Sequence, residues 1–251
     1  MPINYARRLT GRQRAAQANR HLGIALAFVA GAANAGGFLA VRQYTSHMTG
    51  ILSAAADDLA LGAIEAAIDC AGALLAFLAG AACCAIMVNF ARRRRLHSEF
   101  ALPLLLEAVL LLVFGMLGAR LQAIDVLVLP ATVTLLCFMM GLQNAVITKL
   151  SNAEIRTTHM TGIITDLGIE AGKACYWNRD SQAVPLVAAD WKRVRILAAL
   201  VASFFTGALA GAFGFKMIGF GATLPLAGLL LAMAAVPIYD DLAARLRQGR
   251  R

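Results

Sequence analysis

The chain predicts an all-α fold, a polytopic membrane helix bundle built from two duplicated halves, and three observations carry that reading. First, 60% of the 251 residues are hydrophobic and only 15% charged, with mean hydropathy +0.70, whereas a soluble domain carries about a quarter charged residues. The apolar residues sit in continuous runs, each near the ~20 residues a helix needs to cross a bilayer core. Second, the hexapeptide Thr45-Ser46-His47-Met48-Thr49-Gly50 returns as Thr157-Thr158-His159-Met160-Thr161-Gly162, with an Ile after each copy. A self-match of this kind points to a duplicated unit. Third, the basic residues gather in patches between the apolar runs, as cytoplasmic membrane loops do.

These observations also exclude. A transmembrane β-barrel would alternate apolar and polar residues in segments of about ten. The net charge of +9 does not point to nucleic acid, because no basic patch is interleaved with aromatics; the expected surroundings are a lipid bilayer. Cys70, Cys83, Cys84, Cys137 and Cys175 form no C-x-x-C and read as small hydrophobes.

Residues 1–21 form a basic cytoplasmic arm, 22–120 the first membrane repeat, 129–238 the second and 239–251 a basic cytoplasmic tail. The arm and the run after it imitate a signal peptide, but Gly31-x-x-Asn34-Ala35 recurs mid-chain as Gly141-x-x-Asn144-Ala145, so the first run is kept as a span. That run, 22–41, is expected to break near Gly36-Gly37. After the hexapeptide come a short segment at 51–64, a strong run at 69–91 ending in Arg92-Arg93-Arg94-Arg95, and a run at 101–119 opened by Pro103. The second half repeats the order: a run at 129–148, a short segment at 163–176, a polar stretch from Trp177 to Arg195, and runs at 196–215 and 220–238. Phe77-x-x-Gly80-Ala81 matches Phe204-x-x-Gly207-Ala208, and Pro103-Leu104 matches Pro225-Leu226. Small residues at such spacing suit close helix packing in lipid. Trp177 and Trp191 read as interface anchors.

Charge counting decides the topology. If the two short segments do not cross, 20 of the 23 Lys and Arg residues lie inside, leaving Arg42, Arg120 and Lys216 outside; if they cross, 15 lie inside and 8 outside. The positive-inside rule favours the first arrangement, with both termini cytoplasmic in a bacterial inner membrane. Three spans per half is odd, so the halves are inverted, each with a short re-entrant or half-helix segment, as in many secondary transporters.

The chemistry-bearing residues follow from that frame. Thr45, Ser46 or Thr49 is expected to cap the helix after the first hexapeptide, and Gly50 to allow close backbone approach. Thr157, Thr161 and Gly162 are the counterparts. A helix N-terminus within a membrane suits a polar or anionic ligand; equally, the motif could only cap and pack. His47 and His159 are open to a proton-relay role or to a hydrogen-bonded structural one. Asn34 and Asn144 sit within spans, as substrate contacts or as interhelical hydrogen bonds. Asp58 falls opposite Glu170 in the repeat, and Glu107 is an isolated acid within a span; these three are the candidates for ion or proton coupling. No nucleotide, phosphate-loop, zinc-hydrolase or Gly-x-Ser-x-Gly pattern occurs, and no third ligand joins the His pair at metal-binding spacing. No cofactor, metal or catalytic residue is assigned.

Gly31-x-x-Asn34-Ala35, Met48-Thr49-Gly50, Gly141-Leu142-Gln143-Asn144-Ala145 and Arg156-Thr157-Thr158-His159-Met160-Thr161-Gly162 together resemble the YoaK family of bacterial membrane proteins. The resemblance implies an integral inner-membrane location and no settled activity. An Asn often follows the first Thr-Gly of that family; Ile51 stands there in this chain. The expected function is a small secondary transporter or permease for an unidentified small solute. A membrane-embedded enzyme using the His pair, or a structural or regulatory subunit, is the alternative. Six spans make a small permease, so a homodimer is the partner to consider.

Overall fold

The computed structural model describes residues 16–120, 125–150, 160–178 and 186–248. Eight α-helices lie among them, and no strand. In chain order they are α1 (Ala16–Val41), α2 (Met48–Ala60), α3 (Ile64–Arg93), α4 (Ala101–Arg120), α5 (Asp125–Leu150), α6 (Met160–Cys175), α7 (Trp191–Ile218) and α8 (Thr223–Gln248). Each apolar run of the sequence has become a helix. Five stretches are long and apolar enough to cross a membrane; the last, the 53 residues of Trp191–Ala243, holds both α7 and α8. This is a multi-pass membrane helix bundle.

Several boundaries differ from the sequence reading, and two of the differences have a visible cause. Gly36-Gly37 does not break α1, which runs on to Val41. Gly36 instead makes room for a neighbour, since a Cβ there would lie 2.2 Å from the Phe215 ring. α7 starts at Trp191 rather than at 196, because the Asp190 carboxylate accepts from the N–H groups of Lys192 and Arg193 at 2.9 and 3.1 Å. That cap pulls residues read as polar linker into the first turn.

The long helices pair across the two halves. On α1 and α7, Gly31 meets the Phe204 carbonyl and Gly207 the Phe28 carbonyl; on α3 and α5, Gly80 meets the Phe138 carbonyl and Gly141 the Phe77 carbonyl. An added Cβ would come within 1.9–2.1 Å of oxygen at all four glycines. The four Phe-x-x-Gly segments thus interlock two by two, backbone on backbone, as small residues allow in lipid.

Contact order fixes helix direction. Ile24 with Ser203, Phe28 with Gly207 and Ala32 with Gly211 make α1 and α7 parallel. Phe77 with Gly141 and Asn89 with Lys149 make α3 and α5 parallel. Leu26 with Gln143 and Gly37 with Leu136 make α1 and α5 antiparallel. Ser98 with Asp241 and Gly115 with Thr223 make α4 and α8 antiparallel. It follows that α1 and α3 run in opposite senses, although α2 lies between them. At 13 residues, α2 is about 20 Å long, short of the ~30 Å of a bilayer core.

These directions sort the charges. Arg20, Arg92 to Arg95, Lys149, Lys192, Arg193 and Arg195 lie at one end of the bundle, while Arg42 and Lys216 lie at the other. At the basic end the α3–α4 link is fastened to α8. The Asp241 carboxylate accepts from the His97 and Ser98 N–H groups at 2.8 and 2.9 Å and from the Ser98 hydroxyl at 2.6 Å. The main core is built from α1, α3, α4, α5 and α8, with Phe100, Phe114, Leu104, Met139 and Met140 fully enclosed.

Candidate functional site

After α1 the chain turns at Arg42, whose φ of 57° is unusual for a residue bearing a Cβ, and doubles back along the helix it has just left. Tyr44 stacks on Phe38 with ring centroids 4.6 Å apart. Thr45 is buried beneath Gly37, and its hydroxyl finds no partner among the described residues. The Ser46 hydroxyl then donates to the Asn34 side-chain oxygen at 2.9 Å. Asn34 lies seven residues before the end of α1, about 10 Å into the bundle.

α2 therefore starts well inside the bundle and runs back out. Its Ile51 packs with Ala73 and Ala76 near the middle of α3, and Asp58, close to its end, is 3.9 Å from the Cys70 sulfur. α6 does the same against α7, in the direction of the other end. Thr161 lies beside Phe204 and Phe205, Ile163 packs on Leu197 and Leu200, Asp166 pairs with Arg193 at 2.8 Å, and Glu170 reaches the N–H of Asp190. Two short helices thus begin mid-bundle and leave toward opposite ends.

Their starting residues line one cavity of about 550 Å³. Asn34, Ser46, His47 and Thr161 supply its polar groups; Phe38, Tyr44, Phe204, Phe205, Met160 and small residues of α1 and α7 supply the rest. Among the described residues no Lys, Arg, Asp or Glu lines it. Such a wall suits a ligand with an apolar body and a hydrogen-bonding head. The first hexapeptide and the described part of the second come together here.

The capping expectation is corrected. His47, not Thr45, Ser46 or Thr49, occupies the N-cap position of α2, and it makes no side-chain cap bond. Ser46 is engaged with Asn34 and Thr45 is buried, while Thr49 is exposed and stands outside the cavity wall. Gly50 is needed for a side chain rather than for backbone approach: a Cβ there would lie 2.5 Å from Nδ1 of His47, whose ring folds over it. Ile51, at the position where Asn was the expected residue, is 3% exposed and anchors α2 to the core.

The remaining candidates scatter. Asn144 is buried away from the cavity and donates to the Met140 carbonyl of its own helix at 2.8 Å. Gly162 has open space around it. Thr157 and His159 lie outside the described residues. Glu170 accepts from the Lys173 ammonium at 2.8 Å and from the Asp190 N–H at 2.8 Å, and these two donors, Lys173 first, hold its carboxyl below the ordinary range. Those bonds commit it to joining α6 to the start of α7. Glu107 is 1% exposed in α4, with neither oxygen bonded. Among the described residues no three His, Cys, Asp or Glu side chains gather as a metal ion would require.

Sequence reasoning did not single out the aromatic wall. Phe204 was visible only as part of a packing motif, and the Phe38–Tyr44 stack depends on the chain doubling back. Gln143 was quoted within Gly141-Leu142-Gln143-Asn144-Ala145 but given no role. It is fully buried, and its amide donates to the Leu26 carbonyl at 3.2 Å across the α1–α5 contact.

No curated protein and no solved structure matches this chain. A family model does match, over residues 22–236, a span that runs from the second turn of α1 to the middle of α8. The chain belongs to that family, described as proteins of unknown function (DUF1275).

Proposed function

We propose that this protein is a small permease of the bacterial inner membrane, with the cavity between α1, α2, α6 and α7 as its solute site. The observation that carries the reading is that the starts of both short helices line one cavity, although 112 residues separate the two motifs. Helix starts at membrane depth present unpaired N–H groups and a partial positive charge, the means by which discontinuous helices hold polar and anionic groups in transporters. With no Lys, Arg, Asp or Glu among the described residues of the wall, the solute is read as neutral or weakly anionic, its polar head against Asn34, Ser46 and Thr161 and its apolar part against the Phe38, Tyr44 and Phe204 rings.

An inverted duplication is part of the same proposal, and the helix directions are consistent with it. The four Phe-x-x-Gly segments interlock reciprocally, the equivalent helices α1 and α5 run antiparallel, and so do α4 and α8. Under this proposal the six long helices cross, the basic end faces the cytoplasm, and a homodimer is the assembly. Of the motifs that resemble the YoaK family, Gly31 and Gly141 belong to the interlock, and Asn34, Met160 and Thr161 to the cavity wall.

The test is a ligand-stabilisation screen on the detergent-purified protein, followed by uptake of each hit into proteoliposomes. A solute that stabilises the wild type but not Asn34→Ala or Thr161→Ala, and that accumulates in vesicles, supports the proposal. Stabilisation equal in all three proteins would sink the site; binding without uptake would sink the permease.

A further inference from the structure

α4 carries an acid that nothing around it answers. Glu107 is 1% exposed, and neither carboxyl oxygen has a hydrogen-bond partner among the described residues. The α4–α8 register, Ser98 beside Asp241 and Gly115 beside Thr223, sets Glu107 level with Leu231 and Ala232, between the buried Leu230 and Met233. Leu104, Ala108 and Leu111 flank it on its own helix.

The titratable and charged groups of the packed elements are few. The face of α8 toward α4 carries Leu226, Ala227, Leu230, Met233 and Ala234, and its acid Asp241 is held nine residues away by Ser98, about 13 Å along the helix. The 3-10 turn at Gly219–Ala222 carries none. From α3 comes Cys84, which lies within electrostatic reach of Glu107 and of Lys149 at the end of α5; Lys149 itself is directed to Asn89. Among the described residues no cation pairs with Glu107.

A carboxylate left ionised and unpaired in such surroundings costs far more than it would in water, and intramembrane acids of this kind mark ion or proton paths. An inorganic cation would need several oxygen ligands about it, as hard cations do. The described side chains packed here offer methyl, methylene and thioether groups and the Cys84 thiol. A proton needs only the carboxyl group itself.

We propose that Glu107 is a reversible proton-binding site, carrying a proton as the neutral acid in this conformation and releasing it when α4 and α8 move and water reaches it. The chemistry is one protonation, a carboxylate and a hydrated proton giving a carboxylic acid and water. This deepens the permease reading by naming the coupling ion, and its test does not require that reading.

The experiment is pH-difference infrared spectroscopy of the detergent-purified full chain across roughly pH 6 to 9, where exposed carboxylates stay ionised. We expect a protonated-carboxyl C=O band that is lost toward alkaline pH, unchanged when NaCl replaces KCl, absent in Glu107→Gln and displaced in Glu107→Asp. Should Glu107→Gln not fold, displacement of the band in Glu107→Asp carries the assignment. No band in the wild type, a band unaltered in the folded variants, or a band that moves with the salt cation at constant pH would overturn the proposal. A Glu107 band in a protein that moves no solute leaves the proton site standing and removes only the permease.

Discussion

Gly141 lies so close to the Phe77 carbonyl that a Cβ at that position would come within 2.0 Å of the oxygen. Nothing flexible can yield there, because the obstacle is the backbone of α3. We therefore expect Gly141→Ala to force the α3–α5 pair apart and to cost about 1–3 kcal/mol, in the range of overpacked cores. Gly168→Ala on α6, where no atom lies within 4 Å, should instead be neutral or stabilising by up to about 1 kcal/mol. Thermal unfolding in detergent compares the two, and equal melting temperatures would contradict the interlock.

Ser46→Ala removes the hydroxyl that Asn34 accepts. A half-buried hydrogen bond contributes about 1 kcal/mol, so the loss in stability should be small. Its larger effect should fall on the cavity, where freeing Asn34 alters solute affinity. Asn144→Ala, outside the cavity wall, should leave that affinity unchanged, and equilibrium binding of a screening hit separates the two.

Gly50→Ala divides folding from site geometry. The added methyl meets the His47 ring first, 2.5 Å from Nδ1, and a side chain can swing away where backbone cannot. Helix α2 gains about 1 kcal/mol of intrinsic propensity while His47 leaves its place in the cavity wall. We expect an unchanged or slightly raised melting temperature together with impaired uptake. Impaired folding would show that the ring cannot move.

Acid stability should depend on Glu170. Its carboxyl is held below the ordinary value of 4.5 by the Lys173 ammonium and then by the Asp190 N–H. A group lowered on folding adds stability above its unfolded pKa and loses it as pH falls through the folded one. The melting temperature should thus decline below about pH 4.5, and Glu170→Gln should flatten that decline. Melting curves of the two proteins against pH read the difference, and parallel curves would exclude the linkage.

Single cysteines in a cysteine-free background test the sorting of the two ends. Positions Arg94 and Leu246 share the basic end, and Leu61 lies at the start of α3, at the other. Membrane-impermeant labelling of inside-out vesicles should reach the first two and not the third. Labelling of Arg94 and Leu61 from the same side would contradict the helix directions.

The helices were legible in the sequence because an apolar run of that length has few alternatives; Pro103 opens α4 as expected, while Pro225, expected inside a run from 220, falls in the first turn of α8. The convergence of the two motifs was legible too, through charge alone. What escaped was the use made of individual residues. Gly36 resembles a helix breaker until the Phe215 ring, 179 residues away, occupies its open side. Ser46 resembles a cap until the chain doubles back and Asn34 takes its hydroxyl. Glu170 looked equivalent to Asp58, but the longer link between α6 and α7 brings the Asp190 N–H onto it, and the shorter link between α2 and α3 has no counterpart. In each case the deciding partner is distant in sequence, where spacing carries no signal.

The seam between α1 and α7 has a consequence for the order in which the molecule is made. α1 leaves the ribosome well before its partner α7, so the bare backbone around Gly31 must wait for Gly207 to be synthesised. At about 5–20 residues per second, the delay is roughly ten to thirty seconds. Throughout it the first helix holds an unfilled groove against lipid, and neither half of the chain can close its own. Maturation is thereby tied to the final hairpin: a chain truncated before α7 would be inserted, left open along two seams, and exposed to the membrane's quality-control proteases.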